Sequence, residues 1–484
     1  MPPTDRRPWL ILAVCCLSLL IMGTDSTIVN VALPSIQRDL HASLSGLQWA
    51  VDAYTLVLAS FLMASGSAAD RFGRRRVFQV GLTLFTLGSL LCSLATSIEA
   101  LVIFRCLQAF GGSMLNPVAL SIITNTFTER RARARALGIW GAVLGVSLAL
   151  GPVIGGLLVS TVSWRAIFWI NIPIGVAAIV LTQLFVPESR AATARRFDPW
   201  GQVLTIVMLA TLTYAVIEGP ADGWGSALIV AMFAVAAASA VALVRIELRR
   251  EQPLIEMRFF RSVPFSGASL VAVAAFAVLA GFLFLNTLYL QSGRGFSPMH
   301  AGLLTLPMAA MICLAAPVSG RLVATRGARL PLVLAGLLIM AGVALLIPLS
   351  DHTSTWWLVI AYLVLGLGFG LVNAPISNTA VSGMPNSQAG VAASVASASR
   401  QTGGVLGVAI AGSLVAGAPG ARLAAASHPA WVLLAACGLA VAVLGWASTS
   451  QRARATTARV GGMLNEEPPA PAPAQEAGQA TLRA

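Results

Sequence analysis

Along most of this chain the polar residues come in short clusters, and unbroken apolar runs lie between them. The runs recur at roughly the 20 residues that a helix needs to cross a bilayer. The strands of a transmembrane barrel would alternate apolar and polar positions over ~10-residue segments, and these runs do not alternate. The pattern predicts fourteen spanning helices, near 9–34, 47–68, 77–97, 99–121, 135–160, 166–186, 199–217, 225–245, 264–290, 300–323, 329–349, 355–379, 389–415 and 430–448. Residues 1–8 form a short lead-in. Arg6 and Arg7 before the first apolar run resemble the start of a signal peptide, but no small-residue cleavage site follows, so an uncleaved first span is expected. The tail, 449–484, is Pro/Ala-rich towards its end and is expected to be disordered.

Composition agrees with the pattern. The 484 residues are 57% hydrophobic and only 10% charged, where a soluble domain keeps about 25% charged. The class is an all-α polytopic membrane protein. Its formal charge is +13, and every basic residue is arginine. Nucleic acid is not the expected partner, because the arginines fall in short loops on one side. The opposite side carries only Arg38, Arg165, Arg294 and Arg422, and Arg105 and Arg400 lie inside spans; the rest of the 31 are on one face or in the tails. By the positive-inside rule that face and both termini are cytoplasmic, in a cell membrane. The six cysteines lie within apolar runs as small packing residues, and neither a disulfide framework nor a metal site is expected.

The chain is organised around one polar turn, GSAADRFGRRR at 66–76. A fainter copy, GRLVATRGAR, stands at 320–329, and one offset maps Gly66 to Gly320, Gly73 to Gly327 and Arg75 to Arg329. The same offset maps the first span onto the ninth. Two parallel six-helix bundles are therefore expected, at 9–186 and 264–448, with the pair 199–217 and 225–245 inserted in a linker at 187–263. Parallel repeats of this kind build transporters whose substrate site lies between the halves.

Ionisable groups inside hydrocarbon are costly and mark functional positions. Asp25 lies sixteen residues after Trp9, about 24 Å along a helix, and a carboxyl there can take up and release a proton as water access changes. Asp52, opening the second span, is either embedded or interfacial. Arg105 on the fourth span keeps its proton at ordinary pH and must find an acid, carbonyls or water; Gln108 shares its face. A fixed positive charge near an Asp can release that acid's proton on rearrangement. Asn116 on the same span, Gln108 and Arg400 on the thirteenth are candidates for substrate contact or packing. On the fifth span, Gly141, Gly145, Gly151, Gly155 and Gly156 are spaced to give a smooth face, and Pro152 can kink the helix. In the turn, Asp70 can pair with Arg74 or another arginine, a latch that holds one conformation and breaks in the other. Glu218 and Asp222 flank an outer turn as surface groups.

These residues resemble the major facilitator superfamily, in its fourteen-helix drug:proton antiporter branch, from about Trp9 to Ser448. The turn matches the pattern G-x-L-A-D-x-x-G-R-R at Gly66, Ala69, Asp70, Gly73, Arg74 and Arg75, with Ala68 in place of Leu. The fourth span matches at Arg105 and Gln108, with Ala109 where Gly is usual. The fifth matches the antiporter motif at Gly151, Pro152, Gly155 and Gly156, with Ser147 in place of its leading Gly. The first-span pattern D-x-T-I-V-N-V-A-L-P runs from Asp25 to Pro34, and WRAIFWINIPIG at 164–175 is also similar to this branch. The resemblance implies proton-driven export of amphipathic small molecules by alternating access. It implies coupling through Asp25 and Arg105, a cytoplasmic gate at 66–76, and a fifth helix that favours export.

The expectation is thus an antiporter for drugs, antibiotics or a self-made metabolite, acting as a monomer with no cofactor. A proton symporter or metabolite carrier is the alternative, and a membrane receptor or enzyme a more distant one. No HExxH, Walker loop or G-x-S-x-G occurs, and His41, His300, His352 and His428 sit near outer turns. Few acids lie in the spans, so neutral, monocationic or anionic substrates are expected over multiply charged cations.

Overall fold

The computed structural model describes residues 7–190, 198–250, 255–382, 384, 389–417 and 422–465. They are helical, with no strand among them. The first group comprises α1 (Arg7–Leu40), α2 (Leu44–Phe72), α3 (Arg74–Ser93), α4 (Ile98–Thr126), α5 (Arg130–Thr161), the short α6 (Ala166–Trp169) and α7 (Asn171–Phe185). Then come α8 (Pro199–Asp222) and α9 (Ala227–Glu247), and a 3₁₀ turn at Met257–Arg261. The remainder is α10 (Val263–Leu288), ending in a π turn at Tyr289–Gly293, α11 (Pro298–Leu304), α12 (Leu306–Arg326), α13 (Arg329–Ala344), α14 (Thr355–Val381), α15 (Ala389–Leu414), α16 (Leu423–Ala426), α17 (His428–Ser448) and α18 (Gln451–Asn465).

Among the described residues, twelve helical segments are long and apolar enough to cross a membrane. The expected spans at 329–349 and 389–415 are helical but stand outside those twelve. α13 has 16 residues, about 24 Å of helix against a ~30 Å hydrocarbon core. α15 is rich in small polar residues and carries Arg400. The tail departs from the expectation of disorder, since residues Gln451–Asn465 form α18. Its Thr457 hydroxyl meets Ser262 at 3.0 Å, and Thr456 accepts from the Val263 N–H at 2.9 Å. These bonds fix a segment whose composition alone gives no apolar period. Residues 466–484 and 1–6 lie outside the described residues.

Packing repeats the sequence offset. α1 packs on α5 and α7, α3 on α4 and α7, and α2 on α4. Each pairing has its counterpart: α10 on α15 and α17, α13 on α14 and α17, α12 on α14. The first group encloses an apolar core around Phe78, Phe85, Leu115 and Ile122. The second encloses one around Phe282, Tyr362, Trp431 and Ile339, with the Phe282 ring 5.4 Å from Tyr362 and 6.2 Å from Trp431. The groups meet where α2 packs on α15 and α5 packs on α11 and α12. α8 lies against both α2 and α15, held by Gln202 Nε2 donating to the Ser60 carbonyl and Trp49 Nε1 donating to Glu218 Oε1, each at 2.8 Å. Glu218 is therefore half-buried and engaged, not the free surface acid its turn predicts.

Candidate functional site

Asp25 on α1 is fully buried, and every partner it has comes from another helix. Arg105 Nη1 donates to its Oδ2 at 2.6 Å. Gln108 Nε2 and Asn171 Nδ2 donate to its Oδ1 at 2.8 and 3.0 Å. The guanidinium donates further to Gln108 Oε1 at 2.7 Å and, through Nε, to the Ala50 carbonyl at 3.2 Å. Ser89 accepts from Gln108 at 2.7 Å and from Asn171 at 3.3 Å. A buried ion pair survives only when its remaining lone pairs and protons are also satisfied, and here α2, α4 and α7 supply those bonds, with Ser89 of α3 behind them. The Tyr54 ring lies 4.0 Å from Arg105 Cζ, and Phe168 lies at 6.0 Å.

A cavity of about 1130 Å³ lies between the two groups of helices. It reaches Asp70, Asp198 and Glu256 at the arginine-rich face. At the other face α5 and α11 close together. A Cβ at Gly156 would stand 2.6 Å from the Pro298 carbonyl oxygen, and one at Gly302 2.3 Å from that of Pro152. The Ser160 hydroxyl accepts from the Met299 N–H there at 3.1 Å. Tyr54, Asn116 and Arg400 line the cavity, whereas Asp25, Arg105 and Gln108 do not. Gln108 thus belongs to the charge cluster and not to the cavity wall.

A family model described as Major Facilitator Superfamily matches residues 15–408. The chain belongs to the Major Facilitator Superfamily. It is 39% identical over 413 residues to "Multidrug resistance protein Stp" of Mycobacterium tuberculosis, covering 85% of this chain and 76% of that one. It is 38% identical over 412 residues to "Tetracenomycin C resistance and export protein" of Streptomyces glaucescens, with the same shares of 85% and 76%. In fold it is similar to a D-xylose-proton symporter crystal structure, with a TM-score of 0.67 at 16% identity, over 91% of this chain and 97% of that one. With its membrane-spanning helices, this makes it a multi-pass membrane transporter.

The turn that carries this family's pattern is built as a helix break. Gly73 caps α2 and opens α3 with φ of 109°, a conformation that favours glycine. A Cβ there would also stand 2.6 Å from Glu188 Oε1. Glu188 follows α7 and sits at the N-terminus of α3. It accepts from the Arg75 N–H at 3.1 Å and lies 3.7 Å from Arg76 Nε, a favourable place for a carboxylate beside free N–H groups and the positive end of the helix dipole. Asp70 pairs with Arg74 at 2.9 Å, one turn apart. Gly66 lines the cavity. The copied turn keeps the glycine cap and Arg329 but not the ion pair: Gly327 caps α12 with φ of 78°, and Ala324 and Ala328 stand in the places of Asp70 and Arg74.

On α5 the expected smooth face divides in two. Gly151 and Gly155 press on α1, where an added Cβ would meet Thr27 Oγ1 at 1.9 Å and Ile28 Cγ1 at 2.8 Å, and Gly156 presses on α11. Gly141 and Gly145 instead face the cavity, with nothing closer to an added Cβ than Cys313 Sγ at 3.9 Å. Pro152 sits between the two contacts, inside a continuous helix. Asp52 is fully buried among the helices. It lies one helical turn before Leu56, which packs with Leu209 of α8 and Val405 of α15, and neither of its carboxylate oxygens has a hydrogen-bond partner among the described residues. Asn171 entered only as part of WRAIFWINIPIG, and Ser89, Tyr54 and Glu188 carried no signal in the sequence. Three are small or polar residues whose partners come from distant helices, and Glu188 lies in the linker.

Proposed function

We propose that the protein is a proton-coupled exporter that moves amphipathic small molecules out across the cell membrane by alternating access. The observation that carries this reading is the sealed Asp25–Arg105 pair, separated from the cavity by Tyr54. Asp25 can gain a proton, and Arg105 cannot lose its own. Protonating Asp25 dissolves the ion pair and leaves the guanidinium on Gln108, the Ala50 carbonyl and the Tyr54 ring. α1 is then free to move against α4, and α5 moves with α1 through the Thr27 contact. Asp52 is the second coupling group in this reading, a carboxyl suited to holding a proton in the seam beside α8.

The full architecture in this account has fourteen spans. Two six-helix bundles, α1–α7 and α10–α17, flank the inserted pair α8 and α9, as the repeated pairings support. Both termini are cytoplasmic, which the arginine distribution supports. The turn at 66–76 gates the cytoplasmic mouth, where Asp70 lines the cavity. Gly151, Pro152, Gly155 and Gly156 form the outer closure that favours export, and the monomer is the working unit. The names of the relatives, a multidrug resistance protein and an antibiotic resistance and export protein, support export over uptake.

Everted membrane vesicles test this directly. A drug-susceptibility panel on expressing cells first selects the compounds tolerated best. Adding such a compound to vesicles holding a proton gradient should partly collapse it. If no selected compound moves protons, antiport is wrong.

A further inference from the structure

The charges on the cavity wall do not balance, and the imbalance specifies a ligand. Three acids line the cavity: Asp70, Asp198 and Glu256. Each already has an arginine, with Arg74 at 2.9 Å, Arg250 at 3.0 Å and Arg258 at 3.3 Å, respectively. Asp25 and Asp52 are off the wall, and Asp25 is held by Arg105. Arg400 is the reverse case: it lines the cavity, has no ion pair among the described residues, and its Nη1 has no hydrogen-bond partner there. Five more polar atoms of wall residues lack partners among the described residues: Tyr54 Oη, Trp140 Nε1, Asn30 Oδ1, Asn116 Oδ1 and Asp198 Oδ2, the last on a carboxylate whose other oxygen holds Arg250. The rest of the wall is largely apolar, with Leu19, Met22, Phe276 and Phe369.

A guanidinium in such a setting attracts an anion far more strongly than it would in water. Its planar fork matches a carboxylate in particular. A cation entering the same space meets carboxylates that are already neutralised and an arginine that repels it. We propose that the cavity selects amphiphiles carrying one acidic oxygen group, a carboxylate or phenolate, which docks on Arg400. The Asn30 and Asn116 amide oxygens take hydroxyl or N–H donors of the same molecule. This rests on the export reading only in treating the cavity as the substrate site.

The test uses three probes with one apolar body and different heads: 1-pyrenebutyrate, 1-pyrenebutanol and 1-pyrenebutylammonium. Binding to the full chain in zwitterionic nanodiscs is measured against empty nanodiscs. The butyrate should bind about tenfold more tightly than the ammonium, the scale expected of a partly desolvated charge pair. Arg400→Gln should bring the ratio close to one, and Arg400→Lys should keep most of it. Gln401→Glu, on the same wall, adds a counter-charge without removing the arginine and should also lower the ratio, which covers an Arg400→Gln protein that fails to fold. Equal binding in the wild type, or an unchanged ratio in Gln401→Glu and any folded Arg400→Gln, overturns the proposal. Proton movement by the probes in everted vesicles is measured separately. Selective binding with no proton movement counts against export and leaves the role of Arg400 standing. Proton movement without selectivity does the opposite.

Discussion

The Tyr54 ring lies 4.0 Å from Arg105 Cζ, and the same residue lines the cavity. One side chain therefore touches both the cavity and the charge cluster. A desolvated guanidinium over a ring is worth about 2 kcal/mol. Tyr54→Phe should keep that contact and unfold in detergent at the wild-type temperature. Tyr54→Leu should lose it, with a clear fall in Tm and weaker coupling of substrate to proton movement. Equal Tm values for the two variants would remove the stack from the account.

Removing one member of the buried pair should cost more than removing both. Arg105→Leu leaves Asp25 buried without its countercharge, a loss of about 3–5 kcal/mol. Asp25→Leu does the same to Arg105. The double variant strands no charge, so its loss should fall well below the sum of the singles. Thermal unfolding of all three in one detergent checks this.

The fold was largely legible in the sequence because hydrocarbon imposes its own length scale. The apolar runs became helices whose ends lie within about six residues of those expected, and the single offset between the two halves reappears as repeated helix pairings. α18 was not legible, because its bonds to Ser262 and Val263 depend on a distant turn. In the site, Asp25 and Arg105 stood out as ionisable residues in apolar runs. Their partners did not, since a buried serine or asparagine in a membrane helix looks the same whether it holds a carboxylate or merely packs. Asp52 was ambiguous between interface and interior because it falls where the apolar run begins, and only tertiary packing decides its depth. The glycines of α5 were visible as a set, but which of them face a helix and which face the cavity depends on the crossing of α1 and α11.

The two glycine caps should respond unequally to alanine. At Gly73 the added methyl meets both a positive φ and Glu188 Oε1 at 2.6 Å. At Gly327 the nearest atom is the flexible tip of Arg454, at 3.6 Å. Gly73→Ala should therefore cost about 1–3 kcal/mol, and Gly327→Ala only the smaller backbone penalty. Folded yield and Tm of the two proteins give the comparison.

At the closed end, away from the arginine-rich face, Gly156→Val places a branched side chain against the Pro298 carbonyl, 2.6 Å from the position of an added Cβ. The closure between α5 and α11 should loosen, and the cavity should become accessible from that end. Spin labels on these two helices should report a longer distance than in the wild type, together with slower export. An unchanged distance would show that the contact does not set the closure.

Whether Asp25 carries the coupled proton is decided by proteoliposomes containing Asp25→Asn. Two transport modes are compared: uphill movement of substrate driven by an imposed proton gradient, and exchange of labelled for unlabelled substrate with no gradient. Asp25→Asn should lose the first and keep the second, because the cavity wall is intact and only the proton carrier is gone. Wild-type gradient-driven accumulation by Asp25→Asn would contradict it.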